Sequence, residues 1–426
     1  MDHQLALFGG SKVRPHPFPP HPVLGWEERR AVLEVLGSGH LSTFIAAPGE
    51  FFLGGEKIRE FERTFARYHG VKHAVAFNSA TAALHAAVVA VGVQAGEEVI
   101  VTPYSFTASA TCALMHNAIP VFADIEPETC CLDPRSVEAR ISPLTRAIIP
   151  VHLFGHPADM DALLELARRH NLKLIEDCAQ SPGACYHGKL AGTMGDCGVF
   201  SFTESKNITT GEGGMLITND PAIAQAAAMV RNHGEMILET QKERTYSSSL
   251  LGWNYRMTEL EVALGLVQFA RLEQINQQRN LLVAHLVRGM KEMPGLRPLP
   301  GRPDCTHSYY VFAFTYDEGA AGLSRADFAK AVAAEGIPLG VGYVRPLYLT
   351  PIYHENKPSA FQLYKGKARY DKGLCPVAER MYERDLLLLG IARPPATTRD
   401  MDDVLAAMAK VFAHRHEFQE AMVPGR

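Results

Sequence analysis

Lys206 lies in a run whose residue types suit covalent chemistry. The apolar stretch Gly198 to Phe202 leads into Thr203, Ser205, Lys206, Asn207 and Thr209, and then into the glycines Gly211, Gly213 and Gly214. A lysine becomes nucleophilic near neutral pH when desolvation or nearby positive charge lowers its pKa. Upstream, Glu176 and Asp177 end the apolar stretch that begins at Leu172, and Gln180 follows in the turn beyond. An amine, a carboxylate, an amide donor and a glycine-rich loop are what pyridoxal 5'-phosphate needs from a protein: an imine partner, a counter-charge for the ring nitrogen, a donor for the ring hydroxyl, and close backbone approach. On its own Lys206 matches the surface-loop position that most lysines occupy. The glycines behind it and the acidic strand end ahead of it reverse that weighting.

Side chains alternate along a strand, so Glu176 and Asp177 point to opposite faces. Ligands of open α/β sheets bind at the carboxyl ends of the strands, which selects Asp177 as the ring-nitrogen partner and leaves Glu176 a structural carboxylate. A phosphate calls for backbone donors and hydroxyls at a helix start. Asn78, Ser79, Ala80 and Thr81 lie between an apolar strand and an alanine-rich helix, with Ser79, Thr81 and the backbone at Ala80 as candidates. Plain N-capping by Asn78 or Ser79 accounts for the same residues. Ser201 offers a second hydroxyl near the lysine, and Phe106 either stacks on a planar ring or fills the core. His152 and His156 have metal-like spacing, but Gly155 and Pro157 break the helix that would align them; no metal is expected. Tyr343, Tyr348, Tyr353 and Tyr364 either line a polar substrate pocket or pack as an aromatic loop.

These groups need a scaffold. The 426 residues are 47% hydrophobic and 21% charged, an ordinary globular composition with room for two cores. A net charge of -4 gives no basic stripe, so nucleic acid is not an expected partner. The eight cysteines show no CxxC spacing and read as reduced thiols. The N-terminal residues lack the pattern of a signal peptide, and the longest leucine run, Leu386 to Leu389, is far below membrane-span length; a cytoplasmic, membrane-free protein is expected.

Residues 1–25, rich in proline (Pro15, Pro17, Pro19, Pro20, Pro22), read as an extended, unpacked arm. Helices are expected from Trp26 to Gly37 and Lys57 to Tyr68. Apolar strands then alternate with amphipathic helices, from His73–Phe77 to Leu172–Asp177, which predicts an α/β fold with a mostly parallel sheet covered on both faces. Thr258 to Asn280 reads as one long helix ending a large domain, 26–280. Residues 281–426 read as a smaller α+β domain, with a strand Tyr309–Phe314 and a closing helix near Asp400–His414.

Many ordered segments resemble the sugar aminotransferase family named after DegT, DnrJ, EryC1 and StrS, within the fold-type I enzymes. They include Phe8-Gly-Gly10, Phe77 to Leu84, Val151 to Gly155, Glu176 to Gln180, Ser201 to Lys206, Thr210 to Gly214, Arg231 to Gly234, Asn254 to Glu259 and Cys375 to Arg380. The resemblance implies that Lys206 carries the cofactor as an imine and that Asp177 and Gln180 hold its ring. It implies that Ser79 to Thr81 with Ser201 hold its phosphate, and that Asn254 reaches the phosphate of a neighbouring subunit in an obligate homodimer. It further implies a glutamate or glutamine donor and a keto sugar or ketocyclitol acceptor on antibiotic or cell-surface sugar pathways. Family members that dehydrate instead replace the lysine with histidine. Ala80 stands where glycine is frequent in the family, and Cys178 where alanine is common; neither removes a required group.

The expected activity is a two-step transamination through pyridoxamine 5'-phosphate, with Lys206 as general base and acid. A lyase or dehydratase on the same fold, which needs no donor amino acid, and a non-catalytic regulator, which would not turn yellow with the cofactor, are the other readings.

Overall fold

A computed structural model describes residues 4–44, 51–235, 247–355 and 358–418. The first three residues of the arm, and 356 and 357 in the tyrosine-rich loop, lie outside these. In chain order the large unit contains α1 (Trp26–Ser38), α2 (Glu56–His69), β1 (His73–Phe77), α3 (Ala80–Ala90), β2 (Glu98–Val101), α4 (Ala108–Met115), β3 (Ile119–Phe122) and α5 (Pro134–Glu138). It continues with β4 (Thr145–Ile149), α6 (Met160–His170), β5 (Lys173–Asp177), β6 (Cys185–Tyr186), β7 (Lys189–Leu190), β8 (Cys197–Ser201), β9 (Gly214–Thr218), α7 (Pro221–Arg231) and α8 (Glu259–Phe269).

Seven strands form the main sheet in the order β1-β9-β8-β5-β4-β2-β3. Strands β3, β2, β4, β5 and β8 run parallel, and β9 lies antiparallel between β8 and β1. The sheet is buried on both faces, which is why its strands read as continuous apolar runs. Val75, Phe77, Val199 and Leu216 enter one core with residues of α3, α4 and α6. Their neighbours Ala76, Phe200, Met215 and Ile217 enter another with Ile58, Phe61 and Phe65 of α2. The carboxyl ends of β5 and β8 and the start of α3 thereby converge on one edge of the sheet. Ser79 caps α3, its Oγ accepting the Ala82 N–H at 3.1 Å.

A second, antiparallel sheet has the order β10-β12-β14-β13 (β10 Leu296–Pro298, β12 Phe312–Tyr316, β13 Gly340–Val341, β14 Leu386–Leu389). Its core joins Phe312, Phe314, Leu387 and Leu389 to Phe328, Met408 and Phe412. A third, small sheet pairs β11 (Cys305–Thr306) with the β6–β7 hairpin.

Three expectations are corrected. The stretch from Thr258 is two helices, α8 and α9 (Leu272–Met290), parted at Ala270 and Arg271. No glycine or proline marks the break. Arg271 is held by α1 instead, through Glu28 at 2.7 Å and through Glu27. The bend lets α9 enter the second core through Leu282 and Leu286. The strand predicted at Tyr309–Phe314 begins only at Phe312: Tyr309 adopts φ 45°, and buried Arg279 donates to the carbonyls of Tyr309 and Tyr310 at 2.8 and 3.2 Å.

The arm, finally, is packed. Ala6–Phe8 form a short 3-10 turn, and Leu5 is fully buried in the second core. The carboxylate of Glu335, 0% exposed, accepts the N–H groups of Ala6 (2.8 Å) and Val13 (3.0 Å) and pairs with Lys410 at 3.0 Å. Glu335→Ala strands those donors and an ammonium group, with an expected loss of about 3 kcal/mol. Urea unfolding reads the loss, and stability unchanged to within about 0.5 kcal/mol contradicts the anchor.

Candidate active site

The last two residues of β5 divide as strand alternation requires. Glu176 is fully buried and structural. Its Oε1 accepts the N–H groups of Met194 (2.7 Å) and Gly195 (2.6 Å), and its Oε2 accepts Gly192 N–H (2.7 Å) and His152 Nε2 (2.9 Å). His152 Nδ1 accepts the Ala158 N–H at 3.0 Å, so the ring proton sits on Nε2. His152, Glu176 and Cys178 bring ligand-type atoms within 4.8 Å of one another, yet these hydrogen bonds already occupy both imidazole nitrogens and load both carboxylate oxygens. Glu176 thereby fastens the 192–195 loop to β5. His156 is used separately, its Nε2 accepting Arg302 N–H at 2.9 Å.

Asp177 points the other way, into a cavity of about 450 Å³. Its Oδ2 accepts Ser109 Oγ–H at 2.7 Å and its Oδ1 accepts Ala179 N–H at 3.0 Å. Burial pushes its pKa up, while Ser109, the Ala179 N–H, Lys206 and His152 pull it down. The same cavity is lined by Lys206, 9% exposed. Burial lowers the lysine pKa, opposed by Tyr310 and Asp177. The Lys206 Nζ stands 4.2 Å from the centroid of the Tyr310 ring, and among the described residues no carboxylate lies at ion-pair distance from it. An amine held this way is neutralised more readily than a surface lysine.

The loop bearing Lys206 is fixed at several points. Lys206 N–H donates to Thr203 C=O at 3.0 Å, and Asn207 Nδ2 donates to Asn276 Oδ1 and Ser308 C=O, both at 2.8 Å. From the arm, His21 places Nε2 3.3 Å from the Lys206 carbonyl. Gly214, where the loop re-enters the sheet, lies against the start of α3. A Cβ there would sit 2.6 Å from Ser79 C and O and from Ala80 N, so no other residue fits. That contact sets Ser201 beside Ser79, Ala80 and Thr81, and all four line the cavity. The N–H groups of Ala80 and Thr81 begin α3 and have no partner within the helix.

Phe106, 62% exposed, lines the cavity as well, so its ring is not core filling. Gln180 does too, with its amide held at both ends: Oε1 accepts Phe154 N–H at 2.8 Å, and Nε2 donates to Tyr343 OH at 3.0 Å. One amide hydrogen remains. Asn254 is not brought to this cavity; it is exposed and bridged to Asn232. Of the four tyrosines only Tyr343 lines the cavity. Tyr348 and Tyr353 are fully buried in the core, and Tyr364 donates to Glu98 Oε1 at 2.5 Å.

Sequence reasoning missed Ser105, Ser109, Val151, Glu212 and Tyr310, which also line the cavity. The serine pair carried a signal, two hydroxyls four residues apart just beyond a strand. Tyr310 carried none, because it reads as part of the strand that its turn in fact precedes.

A buried amine, a buried carboxylate, a helix N-terminus with hydroxyls and an exposed aromatic ring surround one space. Such a set accepts a planar, anionic, aldehyde-bearing ligand.

A profile of the DegT/DnrJ/EryC1/StrS aminotransferase family matches residues 43–409. The L-glutamine:2-deoxy-scyllo-inosose aminotransferase of Streptoalloteichus tenebrarius is 37% identical over 98% of this chain and 100% of its own length. GDP-perosamine synthase of Caulobacter vibrioides is 39% identical over 78% of this chain and 85% of its own. Among solved structures, an aminotransferase from Psychrobacter cryohalolentis superimposes with a TM-score of 0.83 at 31% identity, covering 94% of this chain and 100% of that one.

Proposed function

The chain belongs to the DegT/DnrJ/EryC1/StrS aminotransferase family, and from that membership we propose a pyridoxal-phosphate-dependent transaminase that moves the amino group of glutamine or glutamate to a free ketocyclitol. The observation carrying the acceptor class is the charge of the cavity. Among the described residues that line it in this protomer, Lys206 is the sole cation, beside the carboxylates Asp177 and Glu212. A diphosphate-linked sugar calls for arginine or lysine clamps, whereas a neutral polyol calls for carboxylate and hydroxyl partners. Glu212, Thr203 and Tyr343 supply these. The end-to-end alignment with the 2-deoxy-scyllo-inosose enzyme supports the ketocyclitol reading.

When bound, the cofactor supplies an aldehyde that exchanges amino groups and a pyridine ring that draws electrons from the carbon being deprotonated. Lys206 would hold the aldehyde carbon, and its Nζ, once free, would take up the donor α-proton and give it back. Asp177, as an anion, would keep the ring nitrogen protonated. Ser79, Thr81, Ser201 and the N–H groups of Ala80 and Thr81 would hold the phosphate, and Gln180 would give its free amide hydrogen to the ring oxygen. Phe106 offers an aromatic face to the ring. Asn254, exposed on its own protomer, serves the phosphate of a partner subunit, so the working unit is a homodimer. Residues 26–280 supply most of the cofactor pocket, joined by Tyr310 and Tyr343 from 281–426, and Tyr348, Tyr353 and Tyr370 of that second part pack into the core of the large unit rather than into the smaller one. The setting is the cytoplasm; among the described residues no helix is long and apolar enough to cross a membrane.

The test incubates the full chain and cofactor with L-glutamine or L-glutamate and either 2-deoxy-scyllo-inosose or a nucleotide-linked keto sugar, read by mass spectrometry. The expected result is an amino cyclitol together with the keto acid of the donor. Amination confined to the nucleotide-linked sugar contradicts the acceptor class. Substrate loss without any donor supports a lyase or dehydratase.

A further inference from the structure

One contact at the site has no assigned role. Ser109, 1% exposed in the first turn of α4, donates its hydroxyl to Asp177 Oδ2 at 2.7 Å. Ser105, also 1% exposed, lies 3.0 Å from Ser109 Oγ. Because the single proton of Ser109 is spent on the carboxylate, Ser105 is the donor in that second bond. On the other side of Asp177, Ala179 N–H binds Oδ1 at 3.0 Å. Each carboxylate oxygen thus carries one donor from the protein, on opposite edges, and keeps a lone pair free.

We propose that Ser109, steadied by Ser105, is a positioning residue for the ring nitrogen of the cofactor: it fixes the rotation of the Asp177 carboxylate about Cβ–Cγ and presents one anionic oxygen into the cavity. This rests on the cofactor reading above. A carboxylate in so dry a place tends to take up a proton or turn away from the ligand. Ser109 is the foremost of the groups that counter burial at Asp177, ahead of the Ala179 N–H, Lys206 and His152. The other titratable groups sensing this carboxylate are Cys112, Cys178 and Tyr343, all of whose pKa values burial raises. Removing Ser109 therefore moves the Asp177 pKa further up, and the ring nitrogen loses its partner at a higher pH than in the unaltered chain.

Ser109→Ala in the full chain tests this, with Ser109→Cys as a near-isosteric weak donor and Ser109→Thr as the conservative hydroxyl. Two readouts do not depend on turnover: the Kd for pyridoxal phosphate added back to stripped protein, and the pH titration of its visible absorbance band. Ser109→Ala and Ser109→Cys are expected to weaken binding by about tenfold, the range for a hydrogen bond to a charged group, and to displace the titration upward. Ser109→Thr restores both. Binding and titration unchanged in folded Ser109→Ala overturn the inference alone. If the unaltered chain binds no pyridoxal phosphate, the cofactor reading falls and this inference with it.

Discussion

Lys206→Ala lowers kcat by about 10³-fold or more while the protein still binds pyridoxal phosphate without a covalent link. The cradle explains the second half. Ser79, Ala80, Thr81, Ser201, Asp177 and Gln180 are all held by elements that do not depend on Lys206. Stability should hardly change, since the lysine makes no ion pair among the described residues and its removal relieves a buried amine. Single-turnover measurement of the donor half-reaction, beside a cofactor titration, reads both halves. Turnover near that of the unaltered chain refutes the role given to Lys206.

Asp177→Asn is the second large effect, a loss of about 10²-fold or more in turnover. The substitution keeps the shape of the side chain, and Asn Oδ1 can still accept Ala179 N–H or Ser109 Oγ–H. What goes is the negative charge that keeps the ring nitrogen protonated. Because the lost charge is a partner of Lys206, the lysine pKa should also fall, and the acidic limb of the pH–rate profile should move down. Steady-state rates across pH measure both effects. A rate and profile matching the unaltered chain contradict the assignment.

The geometry of the site was legible where short-range rules decide it. Strand alternation predicted that Asp177 and Glu176 face opposite ways, and the four hydrogen bonds on Glu176 show why a second carboxylate stands there. Gly214 was legible as a loop glycine, though not its reason, contact with the backbone at Ser79 and Ala80. At the start of α3, Ser79 caps the helix, as the plain reading had it, and also lines the cavity.

What escaped was set by contacts distant in sequence. The break between α8 and α9 depends on Arg271 meeting Glu27 and Glu28, about which local propensity says nothing. Proline dominated the reading of the arm, yet Leu5 and the partners of Glu335 dock it on the second core. Tyr310 reaches the lysine from a turn before β12 that Arg279, distant in sequence, ties down. Tyr343 reaches Gln180 from a segment whose other tyrosines, Tyr348 and Tyr353, are core filling.

The whole account stands on the identity of one nitrogen. The most direct measurement is borohydride reduction of the protein loaded with pyridoxal phosphate, followed by digestion and peptide mass mapping. The account predicts a phosphopyridoxyl mass on the peptide containing Lys206 and on no other. The label on a different lysine, or its absence from every peptide, would contradict it.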